Sequence, residues 1–182
     1  DDGRFFRFRP DFGSAMVCAL AHRGGEPGAG VANQPQVRAG AIDAAAAEKA
    51  AHFVTVADSF HLPLVFLTDN PGMLAGTASE RAGILRAGAR MFAAQTQART
   101  VKLPATLRQA YAFGSRAMSK ASLDAPTLSV PLPAVPPGAL GARGAGAAVA
   151  AADPPPAHIP KAEAHAVYPP TPPGRLAERV AA

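Results

Sequence analysis

Apolar and polar positions alternate with a period of two in RFFRFR, residues 4–9. That period predicts a short strand over residues 5–9, with Phe6 and Phe8 on one face and Arg7 and Arg9 on the other. Residues 10–14 read as a turn. Residues 15–22, AMVCALAH, are almost continuously apolar, the pattern of a strand covered on both faces. The next stretch, RGGEPGAG, reads as a turn, after which GVANQP resumes an extended segment. The period then lengthens. Asp43 predicts a helix N-cap, and Ala46, Ala50, Phe53, Ala57 and Phe60 recur at helical spacing on one face. LPLVFL, residues 62–67, is a buried strand. The order strand, helix, strand favours parallel pairing.

Thr77 and Glu80 have capping-box spacing and predict a helix to about residue 97. Ile84, Leu85, Gly88, Met91, Phe92 and Gln95 mark its inner side. Residues 105–111 are the next strand, with Pro104 at its start or edge. A helix begins over residues 115–120, residues 127–132 are extended, and residues 138–152 are weakly helical. The prolines of DPPPAHIP and YPPTPPGR break regular structure, and RLAERV is a last amphipathic turn. The expected organisation is one domain over residues 1–152 and a Pro-rich tail over residues 153–182.

Composition narrows the partners. A chain of 182 residues, 48% hydrophobic, can bury a core. The net charge is +5, but the basic residues are scattered, so neither nucleic acid nor a membrane surface is an expected partner. Cys18 stands alone inside an apolar run and reads as a buried structural thiol. That agrees with a reducing, cytoplasmic location. The charged opening DDGRFFRFR is no signal peptide and reads as a cut into a longer sequence. No apolar stretch is long enough to span a bilayer.

Few motifs carry chemistry in their side chains. GARGAGAA, residues 141–148, fails as a dinucleotide fingerprint because VPLPAVPP, not a clean strand, precedes it. The histidines have no metal-ligand spacing, so no metal is expected. Neither Ser14 nor Ser115 sits in G-x-S-x-G. Asp69, at a strand end, reads as an acid or base, or as a turn cap. Two glycine loops remain, each between a strand and a helix: Pro71, Gly72, Met73, Leu74, Ala75, Gly76, and Tyr111, Ala112, Phe113, Gly114, Ser115. Free N–H groups at a helix start can hold an oxyanion without any particular side chain; the plainer alternative is an ordinary tight turn.

Three motifs in order carry a resemblance: GVANQP at 30–35, IDAAAAEKAAHF at 42–53 and DSFHLPLVFLTDNPGMLAGT at 58–77. The chain resembles the carboxyltransferase (beta) subunit of biotin-dependent acyl-CoA carboxylases, of the propionyl-CoA and acetyl-CoA carboxylase type. The likeness covers only the C-terminal of that family's two crotonase-like domains. It implies an α/β crotonase-like (ClpP/crotonase) fold, with mixed sheets flanked by helices. It implies transfer of a carboxyl group from carboxybiotin to the α-carbon of an acyl-CoA. Biotin would be carried on a biotin carboxyl carrier or biotin carboxylase subunit. A separate acyl-CoA-binding carboxyltransferase domain or subunit would complete the site in an oligomer. Carried over residue by residue, the backbone amides of Phe113 and Gly114 form the biotin-side oxyanion hole. Pro71, Gly72, Met73, Gly76, Tyr111 and Ser115 line the biotin pocket. Where the family turn has a glycine, this chain has Ala112. The alternatives are a non-catalytic assembly or regulatory subunit, and a biotin-independent acyl-CoA decarboxylase.

Overall fold

The computed structural model describes residue 1, residues 3–118, and the strand pieces Val130–Pro131 and Pro137–Gly138. The tail expected from residue 153, the GARGAGAA stretch and RLAERV lie outside the described residues. Five strands of ordinary length and these two pieces make one mixed sheet. Strands β1 (Phe5–Phe8), β2 (Met16–Arg23) and β3 (Glu26–Asn33) form an antiparallel meander. Strands β4 (Leu64–Asn70) and β5 (Lys102–Tyr111) continue it in parallel, β3 pairing with β4 and β4 with β5. The pieces β6 (Val130–Pro131) and β7 (Pro137–Gly138) both pair parallel with β5. No helix among the described residues is long and apolar enough to cross a membrane.

Several boundaries differ from the expectation. The turn in RGGEPGAG is only Gly24 and Gly25, at φ 62° and 86°, a two-residue hairpin turn that glycines favour. Pairing therefore resumes at Glu26, and Pro27 sits inside a strand. Strand β2 is covered only along its first half: Met16 and Cys18 are buried, Val17 and Ala19 half-buried, and Leu20 to Arg23 exposed. Pro104 is the third residue of β5, not its start, opposite Phe66. Its missing N–H is tolerated because pairing with β6 begins only at Ala105.

Helix α1 (Ala44–Ser59) starts as its sequence predicts, with Asp43 accepting a hydrogen bond from the Ala46 N–H at 2.8 Å. Ala46, Ala47, Ala50, Phe53, Val54 and Ala57 form its buried face. Phe60, expected there, is the C-cap and is 72% exposed. The helix expected from Thr77 is two helices, α2 (Thr77–Arg81) and α3 (Ile84–Gln97). Gly83 breaks them apart in the left-handed region, at φ 83°. The capping box does not form: Gly76 is the N-cap of α2, and no side chain caps it. Helix α4 (Ala112–Ala117) begins three residues earlier than expected.

The core lies between the sheet and the pair α1 and α3, built from small alanines with Met16, Val31, Phe53, Leu64, Phe66 and Met91. Two lysines are buried with it. Lys49 Nζ donates to the Met16 carbonyl at 2.9 Å. Lys102 Nζ donates to the carbonyls of Gln95 and Ala98 at 2.8 and 3.2 Å, closing the C-terminal end of α3, where a cation is favoured. Burial pushes both ammonium groups below the ordinary lysine range.

Cys18 is the buried thiol its sequence context indicates. Burial pushes its pKa up to about 12 from 9.0, against the opposing pull of Lys49. A thiol titrating near 12 carries roughly a thousandth of the thiolate of an unperturbed one at pH 8. Iodoacetamide at pH 8 should therefore label Cys18 at least about 1,000-fold more slowly in the folded chain than in guanidinium. Equal rates in the two states would contradict the burial.

Candidate functional site

The parallel strands β4 and β5 end side by side, and both glycine loops leave from those ends. Open α/β sheets bind ligands at the carboxyl ends of their strands. Asn70 closes β4, and its Oδ1 accepts the Gly72 N–H at 3.0 Å. The loop is then held against Ile42. Ile42 N–H donates to the Gly72 carbonyl at 3.1 Å, and Leu74 N–H donates to the Ile42 carbonyl at 2.8 Å. Met73 thus forms a one-residue parallel bridge with Ile42.

The second loop packs directly on the first. A β-carbon added at Gly114 would lie 2.6 Å from Asn70 Oδ1 and 2.9 Å from both Cα and C of Gly72. One added at Gly72 would lie 3.6 Å from Ala112 Cβ and 3.7 Å from the Tyr111 carbonyl oxygen, and Gly72 itself is at φ 124°. The two glycines let two main chains touch where side chains would hold them apart.

Gly88 of α3 supplies the floor beneath the side chains. A β-carbon there would meet Met73 Cε at 3.2 Å and Phe113 Cε1 at 3.3 Å. Met73 and Phe113 therefore lie together over this glycine, and the Phe113 ring tilts against Phe92 at 5.5 Å between centroids. Leu85, Gly88 and Phe92 fall at helical spacing on one face of α3. The sequence reading placed Ile84, Leu85, Gly88, Met91, Phe92 and Gln95 inward. The structure buries Ile84, Gly88, Met91 and Gln95, together with Ala87, whereas Leu85 is 73% and Phe92 37% exposed. Beside the two loops this leaves an apolar face.

The main-chain donors are oriented by α4. Its first-turn N–H groups, those of Phe113 and Gly114 among them, have no intrahelical acceptor, and no side chain caps the helix. Phe113 is part exposed and Gly114 buried. Ser115 Oγ donates to the Ala112 carbonyl at 2.8 Å, so its hydroxyl proton is committed within the turn. Of the residues predicted to line the pocket, Gly72, Met73 and Tyr111 come together with Phe113 and Gly114, the residues predicted as the oxyanion hole. Pro71 and Gly76 are exposed, and no atom of the described residues lies within 4 Å of a β-carbon at Gly76. Asp69 is neither a free acid nor a turn cap: its carboxylate accepts from Arg108 Nε at 3.1 Å.

Ala112 sits at φ 51°, in the left-handed region. That conformation costs an alanine about 1–2 kcal/mol. Ala112→Gly should raise stability by about 0.5 kcal/mol, the relief exceeding the extra freedom of the unfolded glycine. A lower urea midpoint would contradict this.

Sequence reasoning missed Asn33 and Asn70. Asn33 Oδ1 accepts from the Asp69 N–H and from Asn70 Nδ2, each at 3.0 Å, from 36 and 37 residues away. Asn33 stood in view within GVANQP, but no local spacing signals a bond of that length in sequence.

Known proteins are similar to this chain in sequence and in fold. Residues 1–154 match the carboxyl transferase domain. The chain is 43% identical over 119 residues to an uncharacterized carboxylase, YngE, of Bacillus subtilis, covering 65% of this chain and 23% of that one. It is 40% identical over 125 residues to the methylmalonyl-CoA carboxyltransferase 12S subunit of Propionibacterium freudenreichii, covering 69% and 24%. It thus spans about a quarter of the length of these relatives. A crystal structure of transcarboxylase 12S, a hexamer with hydrolysed methylmalonyl-CoA bound, superposes with a TM-score of 0.82 at 31% identity, over 100% of this chain and 34% of that one. That neighbour has the crotonase-like fold anticipated from the motifs. With the glycine loops at the paired strand ends, the mixed sheet flanked by helices and a match over most of its length, the chain belongs to the carboxyl transferase domain family.

Proposed function

We propose that this chain is the biotin-facing part of an acyl-CoA carboxylase carboxyltransferase, transferring a carboxyl group to the α-carbon of an acyl-CoA. One observation carries the reading: the uncapped first turn of α4 rests on Gly72, beside an apolar wall of Met73 and Phe113. The donor set fits a ureido ring, whose carbonyl oxygen accepts two N–H bonds and whose edges are weakly polar. Biotin on a carrier protein supplies the carboxyl group and a ureido nitrogen able to act as base. The amides of Phe113 and Gly114 would hold the negative charge that develops on the ureido oxygen. Met73 and Phe113 would keep water from the reacting carbon. No side chain of this chain is required to carry a proton. The exposed Leu85, on the α3 face that also carries Phe92, suits docking of an acyl-CoA-binding carboxyltransferase domain.

The test is reconstitution with a carboxylated biotin carrier and an acyl-CoA-binding carboxyltransferase partner, followed by labelled carboxyl transfer to propionyl-CoA. Transfer should require every component. Decarboxylation of methylmalonyl-CoA by the chain alone, without biotin, would replace this reading with that of a decarboxylase. Stoichiometric assembly with no transfer would replace it with that of a structural subunit.

A further inference from the structure

We infer that Asn33 and Asn70 are positioning residues that set the first turn of α4 through the Gly72 turn. The inference rests on the functional reading above, but its geometry is independent of it. Asn33 ends β3 and Asn70 ends β4, and both are buried. Asn33 Oδ1 accepts two hydrogen bonds, from the Asp69 N–H and Asn70 Nδ2. This fixes its orientation, since turning the amide over would set its NH2 against two donors. It likewise fixes Asn70, whose Nδ2 points to Asn33 and whose Oδ1 must then face the loop. There Oδ1 accepts the Gly72 N–H and forms the surface against which Gly114 packs. One chain of contacts therefore runs from β3 through β4 and the Gly72 turn to Gly114.

A second observation concerns the other end of the same amide. Asn33 Nδ2 is buried and has no hydrogen-bond partner among the described residues. A buried, unpaired donor is costly, and native interiors rarely keep one. The asparagine is kept at a point where its other atom, Oδ1, sets the direction of the next amide.

The experiment uses the chain with its carboxylase partners, and the chain alone for amide spectra. Asn70→Leu should shift the amide resonances of Gly72, Phe113 and Gly114 and speed their hydrogen exchange at least tenfold. Asn70→Asp keeps an oxygen for the Gly72 N–H but loses the Nδ2 donor to Asn33, and should restore no more than part of either. Asn33→Ala should resemble Asn70→Leu, and the double variant should be no worse than either single, as for residues acting as one unit. In the assembled enzyme, kcat should fall on the order of 100-fold in Asn70→Leu with KM for the acyl-CoA unchanged, the size of a loss from misplaced groups. Unshifted Phe113 and Gly114 amides would overturn the inference, as would shifted amides with kcat intact. If the unsubstituted chain transfers nothing, the functional reading fails, and the amide spectra alone decide whether the two asparagines set the turn.

Discussion

Gly114→Val should abolish carboxyl transfer in the assembled enzyme, and Gly114→Ala should lower it by at least about 100-fold. The cause is main chain against main chain. The first carbon of any side chain at Gly114 would stand 2.6 Å from Asn70 Oδ1 and 2.9 Å from Gly72, and Gly72 is itself bonded to Ile42 and Asn70. The strand end cannot retreat, so α4 must lift, and the Phe113 and Gly114 amides lift with it. Overpacking of this kind also costs about 1–3 kcal/mol of stability. A thermal shift on each variant separates the two effects. Full activity in a folded Gly114→Val protein would remove this turn from the site.

The largest loss of stability should come from Gly40→Ala, about 3 kcal/mol or more. Two penalties add here. Gly40 is at φ 86°, which costs an alanine about 1–2 kcal/mol. A β-carbon there would also lie 2.2 Å from the Asp69 carbonyl oxygen, inside hard contact. Relief would have to come from the end of β4, whose Asp69 N–H is bonded to Asn33. Chemical denaturation checks the prediction, and a change under about 1 kcal/mol would show that the Arg38–Gly40 turn gives way freely.

The readable parts of this fold were those set by local chemistry. Asp43 caps α1 because its oxygen needs only an N–H three residues on, and the alternation of RFFRFR needs only the period of a strand. The glycine loops stood out as joints between strand and helix, and the family resemblance pointed within them to Gly72, Met73, Phe113 and Gly114, which the structure gathers into one place. The unreadable parts depend on distant partners. Gly83 inside an apolar helical pattern reads as tolerated, yet it ends one helix and starts another. Leu85 and Phe92 share their helical spacing with Gly88, so periodicity could not say which side of α3 meets the core and which meets the loops. Lys49 lies one turn from Phe53 among buried alanines, but a lysine enters a core only where a carbonyl waits, and Met16 is 33 residues away.

Helix α4 opens without a capping side chain, and this has a consequence for how such a site is studied and how it drifts. Peptide groups are the working parts proposed here, and every residue except proline brings the same one. Replacing Phe113 by alanine deletes a ring, and with it part of the apolar wall, but leaves its N–H in place, so a scan of side chains would report the wall and not the donor. Sequences can diverge at that position while the chemistry persists. Substitution of the peptide link itself, amide for ester at Phe113 or Gly114, removes the donor and keeps the side chain.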